Sequence, residues 1–499
     1  MLAKALLLTA VFSARVFSQE NSCEKLANLA LPNSAITAAQ PGAAGEFKPS
    51  TGPAAPFQNL PAFCRVTATL TPSKDSDIRI EVWLPASGWN GKFQAVGNGG
   101  WSGAVSQGAL AAALRRGYAA AGTDTGHSGG SASFALGHPE KLVDFAYRAV
   151  HEMTVKAKAI VSAYYGSGPK FSYWNGCSSG GKQGLKEAQR FPKDYDGIIA
   201  GAPANYWTHL MAGDLWPAHA TLKDAASYIP PAKYPLLHRA VLDACDALDG
   251  VKDSLIEDPV RCKFDPAALL CKGEDTSACL TAPQVEAAKK IYAGAINPRT
   301  GRQIFPGMAL GSELVWGALA GGPEPFGIPV DHFKYVVFKN PAWDFKTLNF
   351  DTDVALADKM DNGLLNATDP NLEEFFAHGG KLIQYHGWND QLITPFNSIN
   401  YYRTVEEKLG AGRLRDNYRL FMAPGMAHCS GGEGPNTFDS VSAIEQWVEQ
   451  GKAPDQIVAE HRANNAVDRT RPLCPYPQVA EYKGAGSIDE AANFVCKAR

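Results

Sequence analysis

The 499-residue sequence predicts an α/β protein built on a mostly parallel sheet, and three observations carry that reading. Short apolar strands alternate with helical stretches up to residue 205. The alternation fades between 206 and 375, where tryptophans, prolines and cysteines accumulate. It then returns from 376 to the C-terminus. Strands that alternate with helices specify crossover connections, and hence parallel pairing.

The elements follow in order. "MLAK" is a short basic lead, "ALLLTAVFSA" an apolar run, and "VFS" before "QENS" supplies compact residues around a cleavage point near Ser18. This is the pattern of a secretory signal peptide over residues 1–18, and it implies a secreted or periplasmic protein. The run is too short for a membrane span, and Arg15 interrupts it. Residues 24–60, rich in Ala, Pro and Gly, read as an irregular lead-in. "IRIEVWLPA" (78–86) alternates like a strand, and "GKFQAVGNGG" (91–100) is a strand ending in glycines. "LAAALRRGYAAAGTD" (110–124) is a helix and then a strand. In 144–166, Phe145, Val150, Met153, Val155, Ala159 and Ile160 recur at helical spacing. "KFSYWNG" is a strand, "GGKQGLKEAQRFP" a helix and "YDGIIAGAPA" a strand. After the odd segment come the strand "GKLIQYHGWND", a helix around "SINYYRTVEEKLG", the strand "YRLFMAPGMAHC" and the amphipathic helix "SVSAIEQWVEQG". Residues 19–205 and 376–499 therefore read as one catalytic domain, with 206–375 inserted into it.

A net charge of −3 gives no reason to expect nucleic acid or an anionic membrane as partner. Ten cysteines after a signal peptide argue for disulfides, and no CxxC occurs to suggest a zinc ribbon or a thioredoxin-like motif. Proximity suggests Cys23–Cys64, Cys245–Cys262, Cys271–Cys279 and Cys474–Cys496. That leaves Cys177 and Cys429, although ten cysteines permit many other connectivities.

Two stretches satisfy G-x-S-x-G, a pattern that sets a serine on a tight strand-to-helix turn. Gly176-Cys177-Ser178-Ser179-Gly180 follows a strand and precedes a helix. Gly126-His127-Ser128-Gly129-Gly130 follows a strand but runs into "SASFALGHPE", which has no helical face. Ser178 is accordingly the candidate nucleophile, and Ser128 a turn residue. A serine needs a base, and the base an orienting acid. Asp390 ends a strand and His428 follows one, in the order Ser, Asp, His. A lone Asp in a loop is otherwise a turn or helix cap, and a lone His a hydrogen-bonded structural residue. His386 competes for the role of base but lies within a predicted strand. Cys177 precedes Ser178 and Cys429 follows His428, so a bridge between them would bring serine and histidine into one neighbourhood. The rival reading, Cys177 as a thiol nucleophile, fits poorly with a secreted chain of even cysteine count. Oxyanion donors are expected from the N–H of Ser179 and from the "GNGG" segment, best at Gly100.

"GCSSGG", the Asp of "YHGWND" and "HCSGG" together resemble the tannase and feruloyl esterase family of α/β-hydrolases. Further similarity runs through "WNGKF", "RFPKDYDGIIAGAPA", "APDQI" and "TRPLCPYPQVAEYKG", covering nearly the whole mature chain. The resemblance implies an α/β-hydrolase fold with a large inserted lid domain over 206–375. It further implies a Ser178–Asp390–His428 triad and a disulfide joining Cys177 to Cys429. It also implies structural calcium in the lid, on Asp246, Asp249 and Asp253 with carbonyls at Val251 and Leu255. Without the resemblance, "CDALDGVKDSLIED" reads as an acidic turn, since it lacks EF-hand spacing.

The implied substrate is a small aromatic ester or feruloylated polysaccharide, with gallate esters as the alternative. Trp316, Phe326, Phe333, Tyr335 and Phe338 are candidates to line an aromatic pocket, and equally candidates for the lid's own core. A terephthalate monoester is less favoured, because no arginine stands between Arg302 and Arg403, though Lys334, Lys339 or His332 offer a substitute cation. Two other classes stand beside the esterase. One is a binding protein on a decayed hydrolase scaffold, against which the complete constellation counts. The other is a redox protein using Cys177 and Cys429. Asn366-Ala367-Thr368 is a glycosylation sequon.

Overall fold

The structure, a computed structural model, describes residues 22–48 and 55–498; the signal-peptide segment expected over 1–18 lies outside them. Nine strands form one sheet. They are β1 (Ser34–Gly42), β2 (Phe63–Leu70), β3 (Ile78–Pro85), β4 (Lys92–Val96), β5 (Ala119–Thr123), β6 (Phe171–Cys177), β7 (Gly197–Gly201), β8 (Lys381–Gly387) and β9 (Tyr418–Ala423). Their spatial order is β1-β2-β3-β5-β4-β6-β7-β8-β9. The pairs β1–β2, β2–β3 and β3–β5 are antiparallel, and from β5 onward every pair is parallel.

The parallel strands bury both faces, as sheets covered by crossover helices must. Alternate residues divide between two cores. Trp174, Ile198, Leu382 and Leu420 face one side, while their neighbours Tyr173, Ile199, Ile383 and Phe421 face the other. On the first side pack helices α2 (Ala149–Tyr165), α3 (Ser179–Arg190) and α5 (Phe396–Leu409). The other side takes α1 (Gln107–Arg115) and α6 (Ser440–Gln450).

The lead-in expected to be irregular instead supplies β1, the edge strand of this sheet. An edge strand is hydrogen-bonded on one side only, so Pro41 and the flanking glycine are tolerated there. The disulfide Cys23–Cys64 ties the segment to β2.

Residues 202–380 run between β7 and β8 and add no strand to the nine-stranded sheet. The segment begins with α4 (Trp207–Leu222), whose Trp207, Leu210 and Met211 pack with Trp101 and Phe145 of the sheet-bearing part. Residues 206–375, expected to form a lid, fall within it. Trp316 is 1% exposed in a core with Ile229, Tyr234 and Leu237, and Phe333 is fully buried and stacks on Trp343. Trp316 thus belongs to the segment's own core, while Phe333 lies in the cluster that the segment shares with Trp101 and Phe145. Asn366 of the sequon is committed as well, its amide oxygen accepting Thr208 N–H at 3.0 Å and its Nδ2 donating to Thr208 Oγ1 at 3.1 Å.

Candidate active site

Parallel register brings the carboxyl ends of four strands together: Cys177 lies opposite Gly201, Gly201 opposite Tyr385, and Gly387 opposite Ala423. The candidate residues sit on the turns that leave this edge. Ser178 stands between β6 and α3 with φ 64° and ψ −123°, a left-handed conformation that a non-glycine residue adopts only when its surroundings enforce it. Its N–H donates to Gly201 O (2.9 Å), and its carbonyl accepts from Lys182 N (3.0 Å) and Ala204 N (3.1 Å). Gly176 is required beneath the turn, because a Cβ there would lie 2.6 Å from Gly180 O. Ser128, by contrast, is exposed on the loop after β5, and no α-helix begins there.

Asp390 is fully buried just beyond β8. Its Oδ1 accepts the N–H groups of Leu392 and Ile393, both at 2.9 Å. Its Oδ2 receives His428 Nδ1 at 2.8 Å and His386 Nε2 at 3.1 Å. Burial alone would push this carboxyl up, but the two imidazoles that donate to it, His428 and His386, outweigh it. The carboxyl is held well below the usual carboxylate range. An ionised acid only accepts, so His428 Nδ1 carries the proton and Nε2 is left as the basic nitrogen. The backbone of His428 is held in turn by Gln391 Oε1 at 3.1 Å. His386, the competing base, is fully buried with both nitrogens engaged, Nδ1 with Ser398 Oγ at 2.7 Å and Nε2 with Ile393 O at 2.8 Å.

The disulfide Cys177–Cys429 joins the serine turn to the histidine loop across 252 residues, with Cα atoms 6.0 Å apart. Cys429 itself has φ 62°. Asp390 and His428 therefore meet directly, while Ser178 and His428 are neighbours through the bridge. Among the described residues no direct hydrogen bond links the Ser178 hydroxyl to the ring. The other four disulfides are Cys23–Cys64, Cys245–Cys262, Cys271–Cys279 and Cys474–Cys496, and none of the described cysteines is free.

The "GNGG" loop leaves β4 beside the serine turn. A Cβ on Gly97 would come 2.5 Å from Gly180 Cα, so the two turns touch backbone to backbone. Two side chains of α3 hold the loop: Ser179 Oγ donates to Gly100 O at 3.0 Å, and Gln183 Nε2 to Asn98 Oδ1 at 2.9 Å. Sequence reasoning assigned Ser179 only its N–H and did not find Gln183. The spacing of Ser179 and Gln183, one helical turn apart, was the available signal.

His332, considered as a cation for a substrate carboxylate, is 1% exposed and stacks on Trp101. Burial, reinforced by the nearby Lys182 charge, pushes its ring down to about 3, so it stays neutral. Lys334 is half-buried and Lys339 exposed.

The acidic turn lies elsewhere, packed against the C-terminal hairpins through Val251, Cys474, Ala480 and Phe494. Asp246 accepts the N–H groups of Asp253 (3.2 Å) and Ser254 (3.1 Å). Asp249 accepts that of Val251 (3.1 Å), and Asp253 that of Leu255 (3.1 Å). Asp253 also receives Arg471. Burial pushes Asp249 up to about 6, with the charge of Asp253 adding to the shift. Burial raises Asp246 too, again with a contribution from Asp253. Hard oxygens that repel one another are a donor set suited to calcium, although the three carboxylates do not all lie within 4.8 Å of one another.

The sheet order, the strained serine turn and the acid and histidine loops beyond it define an α/β-hydrolase fold. A sequence model described as "Tannase and feruloyl esterase" matches residues 64–497, and the chain belongs to this family. It is 40% identical to an uncharacterized esterase of Xanthomonas campestris pv. campestris over 99% of this chain and 92% of that protein. It is 36% identical to a probable feruloyl esterase B-1 of Aspergillus flavus, over 87% of this chain and 86% of the other. Among solved structures, feruloyl esterase B from Aspergillus oryzae superposes with a TM-score of 0.90 at 33% identity, covering 96% of this chain and all of that one. The tannin acyl hydrolase of Aspergillus niger shares the fold, with a TM-score of 0.80 at 23% identity. The protein is a carboxylic ester hydrolase of the feruloyl esterase and tannase type.

Proposed function

We propose that this chain is a secreted serine esterase that cleaves esters of hydroxycinnamic acids, feruloyl esters first, through an acyl-enzyme on Ser178. The observation that carries this reading is the Asp390–His428 hydrogen bond, fixed beside the Ser178 turn by the Cys177–Cys429 bridge. His428 Nε2 takes the proton of Ser178 as the hydroxyl oxygen attacks the ester carbonyl. The N–H groups of Ser179 and Gly100 receive the developing oxyanion. His428 then protonates the leaving alcohol, and in the second half-reaction it activates the water that releases the acid. Residues 206–375 act as the lid that sets specificity. Feruloyl esters rank ahead of gallate esters because the relatives above 30% identity include proteins named feruloyl esterase, whereas the tannin acyl hydrolase shares only the fold. Five disulfides suit an oxidising compartment, and no helix among the described residues is long and apolar enough to cross a membrane.

Calcium is proposed on Asp246, Asp249 and Asp253 with the carbonyls of Val251 and Leu255. There it would add countercharge to a turn in which Arg471 and Arg469 reach only Asp253, and would stiffen the turn beside Cys245–Cys262. It takes no part in the ester chemistry.

The test is hydrolysis of methyl ferulate, methyl gallate and a terephthalate monoester, measured side by side with wild type and Ser178→Ala. Ferulate is expected to be fastest, with no turnover in the variant. A higher kcat/KM on gallate replaces the substrate assignment, and turnover by Ser178→Ala ends the mechanism.

A further inference from the structure

We propose that His386 is a positioning residue for the catalytic acid, a second imidazole that fixes and moderates the oxygen of Asp390 on which His428 turns. The proposal rests on the triad reading above.

The protons around His386 can be placed from the chemistry of its partners. Ile393 O, 2.8 Å from Nε2, only accepts, so Nε2 carries a hydrogen. The same N–H reaches Asp390 Oδ2 at 3.1 Å. Nδ1 is then free to accept the Ser398 hydroxyl at 2.7 Å, which fixes the ring plane from the other side. His386 is the penultimate residue of β8, in register with Met422 of β9, and has no solvent exposure. Asp390 therefore has four donors, two amides on Oδ1 and two imidazoles on Oδ2. The two amides anchor Oδ1 to the loop, and His428 takes one side of Oδ2. What His386 adds is a second donor on the working oxygen.

That donor does two things. It prevents the carboxylate from rotating out of line with His428 Nδ1. It also draws charge from Oδ2, so the imidazolium that forms during catalysis is stabilised less than by a carboxylate with one donor. The hydrogen bond is the longer of the two on Oδ2, and Ile393 O offers its N–H another acceptor. His386 can thus slacken as His428 becomes charged and tighten again afterwards. The titratable groups facing this pair are His386, His428 and Asp214 of α4. The carboxyl of Asp214 is raised well above the ordinary carboxylate value, by burial first and then by the charge of Asp390.

The test compares His386→Ala and His386→Gln with wild type on methyl ferulate, with active sites counted by a serine-directed fluorophosphonate and melting temperatures recorded. For His386→Ala, kcat per labelled site is expected to fall about 10- to 100-fold with KM within about twofold, since small misplacements of catalytic groups have this cost. The acidic limb of its kcat/KM profile is expected to move to higher pH. His386→Gln keeps an N–H donor and is expected to recover much of kcat and to return the limb toward wild type. A merely structural role would lower melting temperature and the labelled fraction while leaving the limb of the labelled enzyme in place, and that result overturns the proposal. So does a glutamine variant no better than alanine. Ser178→Ala is the control: if it turns over, the triad reading has failed; if it is dead while the limb stays fixed, only the role of His386 has failed.

Discussion

Asp390 and Asp249 of the 246–255 turn are both buried carboxylates, yet their surroundings treat them oppositely. Asp390 is met by two amides and two imidazoles, and its carboxyl is held far below the ordinary range. Asp249 accepts one amide and lies near Asp253, whose charge adds to a shift that burial drives up to about 6. Arg471 serves Asp253 and leaves two of its own nitrogens without a partner. A buried charge is stable only where its neighbours supply opposite charge and hydrogen bonds. The first site is complete in its own side chains, and the second carries an excess of negative charge. The difference matches the two roles proposed above, an acid that holds a proton-transferring base and a turn that would hold a cation.

The comparison breaks most severely at the first site. Asp390→Asn keeps the shape of the loop but replaces an acceptor with an amide able to donate, which favours the wrong tautomer of His428. The expected fall in kcat is about 10⁴-fold, and removal of Ser178 or His428 costs as much or up to about 10⁶-fold. A loss under tenfold on methyl ferulate for any of the three, with the fold intact by circular dichroism, excludes that residue from the mechanism. Next in size is the bridge. Cys177→Ala with Cys429→Ala opens a loop of 252 residues. The chain-entropy model gives up to about 5 kcal/mol of lost stability, and a loosened Ser178–His428 pair about 100-fold in kcat. Denaturant unfolding and turnover of the double variant measure the two separately. Unchanged turnover would mean that the sheet alone sets the geometry.

At the acidic turn the expected effect is smaller and runs through stability only. Saturating calcium at about 100 times its Kd contributes roughly 2.7 kcal/mol. A chelator should lower the melting temperature while kcat at 25 °C is retained, and Asp249→Asn should abolish the difference between chelated and calcium-loaded protein. Identical melting curves with and without chelator would leave the turn held by its amides, Arg469 and Arg471.

How legible these sites were in the sequence follows from how local their signals are. Ser178 was readable because strand, glycine turn and helix lie within one short stretch, and the same test set Ser128 aside. His428 was readable because a cysteine beside it matched a cysteine beside Ser178. Asp390 followed from its place at the end of β8. The edge strand β1 was not legible, since its Ala, Pro and Gly residues carry no apolar alternation and its pairing comes from β2. Nor was the second contact on Asp390. A histidine within a strand points to one face or the other, and nothing local says that His386 meets an acid four residues ahead. Trp316 and Phe333 show the same limit for packing, where composition marked them as aromatic but only the fold assigns them to a core.

Lys182 carries the comparison over to a cation. It is fully buried on α3, its Nζ has no hydrogen-bond partner, and the nitrogen lies 4.1 Å from the ring centroid of Trp207 and 4.6 Å from that of Phe145. Burial, with Lys186 adding to it, pushes its ammonium down to about 7. The unfolded chain keeps the ordinary value near 10.4, so between these limits it binds more protons than the folded chain. Ionised Lys182 therefore destabilises the fold fully below pH 7, and the penalty fades as pH rises toward about 10.4. Lys182→Met fills the same space without charge but forgoes two cation–π contacts. The expected net gain is about 2 kcal/mol at pH 6, shrinking to nothing or reversing near pH 10. Urea unfolding at the two pH values measures it. A gain independent of pH would trace the effect to packing, and a loss at pH 6 would mean that the two rings already satisfy the charge.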